Sequence, residues 1–243
     1  MKKDIERIKT HIKGLDSHME GGIPKGSVSL VCGTPGSMKS SLAYSILYNN
    51  KDLKSIYITL EQSIGSLKQQ MMRLNMGEER KNITIADFDA IEDKLKEEFS
   101  DPKFRHDWIK RIKSYVQAIG KDEGYDLLVI DSLDALYALV SIKDPRREIY
   151  HLFKELREDG VTSFFITEMS LDEHRYSQFG VEEFLADGII HLDFQKRGDI
   201  LSSLERYVGI VKMRSTNHDT QYFPMLYTGD GFTVIPREDL LLE

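Results

Sequence analysis

Apolar runs of strand length alternate with longer polar or amphipathic stretches along most of the chain. The runs that predict strands are Ser27–Cys32, Ser55–Leu60, Leu127–Asp131, Ser163–Thr167, Gly188–Phe194 and Tyr207–Met213. Several are continuous rather than alternating, which is the pattern of parallel strands covered on both faces. Helical periodicity predicts helices over Ser40–Asn49, Ile64–Leu74 and Arg146–Glu158, and a long one through Asp89–Ile119. Asp159-Gly160 is a natural stop before the next strand. This alternation predicts an α/β fold, a mostly parallel central sheet with right-handed crossovers and flanking helices. From Ile189 to Val234 strand patterns follow one another with short connections, which predicts an antiparallel C-terminal edge. No repeat, low-complexity tract or Pro/Gly/Ser linker divides the chain, so residues 1–243 are expected to form one domain.

Composition narrows the class. The chain has 243 residues, one cysteine, 33 basic and 40 acidic side chains, for a net charge of −7. A chain of this length buries a sufficient core without disulfides or structural metal, and a lone Cys32 builds no disulfide framework. The longest apolar stretch, Leu127 to Val140, is interrupted by Asp131 and Asp134, so no membrane span is expected. Met1 to Lys9 is charged and lacks the apolar core of a secretory signal, which makes a cytoplasmic location the expectation. The acidic balance argues against a protein built chiefly to coat nucleic acid, though a local basic groove stays open. The charge-dense segment Glu92–Lys113 mixes both signs and reads first as a solvated helical face.

The chief chemical signal is Gly33-Thr34-Pro35-Gly36-Ser37-Met38-Lys39-Ser40, placed after a short apolar strand and opening a helix. That is the context of a phosphate-binding P-loop. Glycines let the backbone turn its N–H groups inward on a phosphate, and the helix start adds its positive end. Lys39 supplies a mobile cation for outer phosphates, and the Ser40 hydroxyl can ligate magnesium. The expected nucleotide contacts are Thr34, Pro35, Gly36, Ser37, Met38, Lys39, Ser40 and Ser41. The usual glycine before the lysine is replaced by Met38, and the three remaining fixed positions match by chance in roughly one chain in ten. The strand and helix around the loop raise its weight above that. If position 38 needs φ > 0, methionine costs about 1–2 kcal/mol there, and if a helical φ suffices it costs little. The sequence leaves both open.

Two carboxylates are candidate partners of that loop. Asp131 closes the apolar run Leu127–Ile130, at the strand end where open α/β sheets bind ligands, and is expected on the magnesium side. Capping of the next helix falls more naturally to Ser132 or Asp134. Glu61 follows the strand Ile56–Leu60 and either orients an attacking water or serves as a helix N-terminal carboxylate favoured by the dipole.

Taken together these residues resemble the KaiC-like branch of the RecA superfamily of ATPases, in its single-domain archaeal form. The likeness runs through Gly14-Leu15-Asp16, Gly21-Gly22-Ile23-Pro24-Lys25-Gly26-Ser27 and Thr59-Leu60-Glu61-Gln62. It is sharpest in Gly180-Val181-Glu182-Glu183-Phe184-Leu185-Ala186-Asp187-Gly188-Ile189-Ile190 and in Val211-Lys212-Met213-Arg214-Ser215-Thr216-Asn217-His218. The resemblance implies a RecA-like P-loop core binding ATP or ADP with Mg2+. It also implies a homo-oligomeric ring, commonly a hexamer, with nucleotide at the subunit interfaces. In that family the second segment reaches the neighbour's nucleotide, which would make Lys212, Met213, Arg214, Thr216 and His218 contacts in trans. Lys212 and Arg214, two positions apart on a strand, lie on one side of it and suit developing phosphate charge. Lys39, Glu61, Lys212 and Arg214 are then the expected catalytic groups, and Ser40 and Asp131 the metal-side ones.

The departures from the family pattern carry weight too. The family often has two adjacent glutamates where this chain has Glu61-Gln62, so hydrolysis is expected and expected to be slow. Where the two-domain clock protein phosphorylates a Ser-Thr pair, this chain has Glu183-Phe184, and it has a single phosphate loop, so no autokinase cycle is expected. The function implied is a magnesium-dependent ATPase ring with a regulatory role toward a protein partner that the sequence does not name. A nucleotide-gated single-stranded DNA-binding recombinase paralogue with little turnover is the alternative, and it lacks an evident basic, aromatic-rich loop. Cys32, His151, His174 and His191 read as structural or exposed residues without metal spacing, and Met71 and Met72 as core fillers.

Overall fold

Val28–Gly33 (β3) is buried along its whole length and lies at the heart of the sheet. The computed structural model describes residues 5–95, 108–139, 144–169, 175–197 and 203–235. Two short strands, Arg7–Ile8 (β1) and Ile23–Pro24 (β2), precede β3 as a separate antiparallel pair around a 3-10 turn at Asp16–Met19. After β3 come Lys39–Asn49 (α1), Ser55–Thr59 (β4), Ile64–Arg73 (α2), Ile83–Ala86 (β5), Phe88–Leu95 (α3), Trp108–Glu123 (α4) and Leu127–Asp131 (β6). Leu133–Leu139 (α5), Pro145–Glu158 (α6), Thr162–Glu168 (β7), Glu182–Leu185 (α7), Gly188–Arg197 (β8), Ser203–Met213 (β9), Tyr222–Thr228 (β10) and Gly231–Val234 (β11) complete the described chain.

The nine strands of the main sheet run in the order β11-β10-β9-β8-β3-β7-β6-β4-β5. From β8 to β5 every pairing is parallel, and β9, β10 and β11 add as antiparallel neighbours. This is the mostly parallel α/β sheet with an antiparallel end that the sequence predicts. The continuous apolar runs have the expected cause. Successive residues of one strand serve opposite faces, with Val31, Tyr57, Val129 and Phe164 packing against α1 and α2 and Leu30, Ile58, Leu128 and Phe165 packing on the other side, where α3 to α6 lie.

Predicted strand and helix spans lie within a few residues of those observed, with one exception. The long helix through Asp89–Ile119 is two helices, α3 and α4, packed on each other. A straight helix would hold Glu92 and Arg111 about 28 Å apart, since it rises about 1.5 Å per residue, whereas Arg111 Nη1 sits 3.1 Å from Glu92 Oε1. Arg111 is accordingly buried, so this part of the charged segment is not a solvated face. Part of Glu92–Lys113 lies outside the described residues, as does His174. Met71 fills the core as expected, but Met72 is 62% exposed. Cys32 is fully buried, with burial pushing its thiol pKa up, and His151 is exposed. Among the described residues no helix is long and apolar enough to cross a membrane.

Candidate functional site

The turn from β3 into α1 shows why this loop is shaped for an anion. At Gly33 (φ +155) a side chain would put its Cβ 2.3 Å from the Leu192 carbonyl oxygen, so only glycine fits. Gly36 also takes a positive φ, +82. Met38 settles the question its sequence position raised. It is the N-cap of α1 at φ +75, ψ +27, a left-handed residue, and carries a strain of about 1–2 kcal/mol. Its side chain packs against the core on the α1 side.

That substitution leaves a second mark. Helix N-caps are usually Ser, Thr, Asp or Asn, whose oxygens satisfy the first amides. Met38 provides no such acceptor, and α1 has no acidic residue in its first turn. The opening amides of the helix and its positive end therefore face the cavity in front of them. Lys39 is buried, its ammonium donating to the carbonyls of Gly33 (2.9 Å) and Thr34 (3.1 Å) across the loop. Ser37 is buried beside Gly33, and its hydroxyl has no hydrogen-bond partner among the described residues.

In front of the loop lies a cavity of about 680 Å³. Its walls include Pro35, Gly36, Met38, Lys39, Ser40 and Ser41 from the loop and α1, and Glu61 and Asp131 from the ends of β4 and β6. Parallel pairing of β4 with β6, Thr59 beside Asp131, brings the two carboxylates to the same sheet edge. Asp131 is nearly fully buried, and that burial raises its pKa, opposed by hydrogen bonds from Tyr57 and Ser40. Tyr57 donates to Asp131 Oδ2 at 2.6 Å. Glu61 is exposed toward the cavity and accepts a hydrogen bond from the Ser132 hydroxyl. Ser132 also accepts the Ala135 amide and so caps α5. Asp134 accepts the Glu168 amide at 2.8 Å. Its burial, with Glu168 and Glu61 nearby, moves its pKa up to about 6.

Other residues on the wall belong to no motif, among them Glu168, Gln70 and Arg206. Glu168 ends β7 as Asp131 ends β6, an apolar run closing on a carboxylate, and that signal was present in the sequence. Gln70 donates to the Ser41 hydroxyl at 3.3 Å from α2. Arg206, on β9, reaches back to the Gly36 carbonyl at 3.4 Å with its guanidinium 5.1 Å from the Phe194 ring centroid. Nothing in the spacing around Arg206 announces that contact.

The cradle at Gly33, the uncapped amides of α1 and the Lys39 cation suit a polyphosphate. Ser40 beside the buried Asp131 is an oxygen pair of the type that holds magnesium through bound water. The chain's second cationic segment lies elsewhere. Lys212 donates to the carbonyls of Glu183 (2.8 Å) and Ala186 (2.7 Å) around the end of α7. Arg214 donates to Phe184 O at 2.9 Å and pairs with Asp187 at 3.1 Å. Lys212 is in β9, but Arg214 falls in the turn just past it rather than on the strand as expected. Both still reach Phe184 O, and burial lowers the Lys212 pKa, with Arg214 adding to the effect. Met213 is buried in the core, and Thr216 and His218 sit on the loop beyond β9. None of these five lines the cavity of their own protomer.

Comparison with known proteins decides the family. The family model for the KaiC ATPase matches residues 8–239. The chain belongs to the KaiC family. Within the RecA superfamily of P-loop ATPases it is 31% identical to a UPF0273 protein of Pyrococcus furiosus, over 97% of this chain and 96% of that one. It is 30% identical to the circadian clock oscillator protein KaiC of a Picosynechococcus strain, over 96% of this chain. It spans about half the length (45%) of that clock protein. Among solved structures, a KaiC-like protein from Pyrococcus horikoshii matches with a TM-score of 0.75 at 29% identity, covering 96% of this chain and all of the other. The phosphate loop therefore belongs to a KaiC-type ATP-binding ATPase domain.

Proposed function

We propose that residues 1–243 form one ATPase domain that hydrolyses ATP with magnesium, works as a ring with nucleotide at its subunit interfaces, and uses nucleotide state to alter its affinity for a protein partner. One observation carries this reading above the others. The uncapped start of α1, with Lys39, opens onto the same cavity as Glu61 and Asp131. The α1 amides bind the phosphate chain. Lys39 exchanges its two loop carbonyls for outer phosphate oxygens, a short movement for a flexible side chain. Ser40 and Asp131 would hold magnesium, which when bound neutralises charge on those oxygens. Glu61, oriented by Ser132, holds the attacking water and takes up its proton. Asp131 lies too deep to compete for that task.

Lys212, Arg214, Thr216 and His218 would serve the nucleotide of an adjacent copy, with Met213 anchoring their strand. In favour stands their absence from their own cavity, together with their clustering at the end of β9 and on the loop after it, where Lys212 and Arg214 both reach Phe184 O. In an assembled ring Lys212 and Arg214 would trade the carbonyls around α7 for phosphate oxygens. Protein with ATP and magnesium is expected to release phosphate, and Glu61→Gln to lower that release about 100-fold or more while nucleotide still binds. Equal rates for the two proteins would remove Glu61 from the mechanism.

A further inference from the structure

The glycine-rich segment before β3 has no part in the site described so far, yet its geometry converges on one side chain. Arg7, on β1, spreads its guanidinium between two separate pieces of chain. On one side Nη1 donates to Gly22 O at 3.0 Å and Met19 O at 3.4 Å, and Nη2 pairs with Glu20 at 2.6 Å. On the other, Nη1 donates to Thr216 Oγ1 at 2.9 Å and Nη2 to Ser215 O at 3.4 Å. The side chain is 13% exposed. A planar fork of this kind fixes distance and direction, which a lysine cannot do.

The surrounding sequence builds the platform. Gly22 (φ +136) leaves room for β1, where a side chain would meet the Ile8 carbonyl at 2.3 Å. Asp16 accepts the Thr10 amide at 3.0 Å and the Thr10 hydroxyl at 2.6 Å, closing the turn from inside. Opposite it, Ser215 adopts a left-handed φ of +57, a conformation a non-glycine residue keeps only when neighbours hold it. The same loop is tied at its far end, where the Asp219 amide donates to His18 O at 2.9 Å. The stretch from Ser215 to Asp219 is thus pinned at both ends to the N-terminal turn.

From this we infer that Arg7 is a positioning residue that fixes the posture in which Thr216 and His218 are presented to a neighbouring copy's nucleotide. It presupposes that the loop serves that neighbour, as proposed above. Arg7 touches no reacting atom and acts through Ser215 and Thr216. Arg7→Ala is expected to lower kcat about tenfold with the KM for ATP moved less than about threefold, because the protomer's own cradle is untouched.

A subunit mixture separates this role from a general loss of fold. Lys39→Ala and Arg7→Ala chains are co-expressed in equal amounts with different tags and purified through both tags. The Arg7→Ala cavity is then served by the intact loop of a Lys39→Ala neighbour. The mixed assembly is expected to turn over about fivefold faster than the mean of the two variants measured apart. A rate equal to that mean would overturn the role of Arg7. A control pair, Lys39→Ala with Arg214→Ala, identifies which claim has failed. If the control gains activity and the Arg7 pair does not, Arg7 alone is misassigned. If neither gains, or no doubly tagged particle forms, service in trans is wrong and Arg7 falls with it. Should Arg7→Ala fold poorly, Arg7→Lys and Thr216→Val replace it. Their double variant is expected to be no slower than the slower single one, and additive losses would contradict a shared contact.

Discussion

The parallel and antiparallel ends of the sheet handle charge in opposite ways. At the parallel end, β3, β4, β6 and β7 bring Lys39, Glu61, Asp131 and Glu168 to one edge, where they face a cavity. At the antiparallel end, Lys212 and Arg214 point onto the carbonyls and carboxylate of their own chain around α7. The first end is a site on its own. The second is a set of cations bound to its own chain, which the function proposed above assigns to the site of a second copy. Under that proposal one protomer holds the phosphate-binding half of the chemistry, while Lys212 and Arg214 lie away from its cavity.

The largest predicted effect breaks the parallel end. Lys39→Ala is expected to reduce phosphate release about 1000-fold, measured under saturating ATP and magnesium. Next, Arg214→Ala is expected to lower the turnover of the assembled protein about 100-fold while ATP affinity stays within about threefold. A change confined to affinity would instead place Arg214 at its own protomer's nucleotide.

Smaller effects test the strain and the titrating groups. Met38→Gly removes the left-handed penalty at a cost in chain entropy and packing, for a net gain of about 0.5 kcal/mol in denaturant titrations. Met38→Ala keeps the strain and loses the packing, and is expected to cost about 1 kcal/mol. The reverse order would mean that the +75° φ carries no strain.

The two ends also differ in pH response. Asp134 has a folded pKa of about 6, above its unfolded value, so the folded state binds the extra proton. Its contribution is present at low pH and lost as pH rises from about 4 to about 6, on the order of 1 kcal/mol for a half-buried group. His191 is buried and held by the Tyr222 hydroxyl at 2.7 Å, and burial lowers its pKa. Its contribution is full above the unfolded value near 6.5 and declines as pH falls below it. Asp134→Asn and His191→Gln are therefore expected to remove slopes of opposite sign from the stability profile.

How far the sequence revealed all this follows the same division. The parallel strands were legible because burial on both faces demands continuous apolar runs, as in Leu127–Ile130. Elements too short to show a period were missed, among them the two-residue β1 and β2, the four-residue β5 and the seven-residue α5. The merging of α3 with α4 arose because helical periodicity does not report a reversal of direction. Lys39 and Asp131 could be found from chemistry at strand ends. Lys212 and Arg214 were visible through family likeness alone, since cations on a strand look like surface. Arg206 and Arg7 act across long sequence separations, 170 and 209 residues to Gly36 and Thr216, and no local pattern records such contacts.

The most direct measurement is calorimetric titration of ATP with magnesium into the protein and into Lys39→Ala. Saturable heat with a micromolar Kd is expected for the native chain, and at least a tenfold weaker Kd for the variant. No heat from the native chain, or identical curves for both, would contradict capture of a polyphosphate by the loop ahead of Lys39.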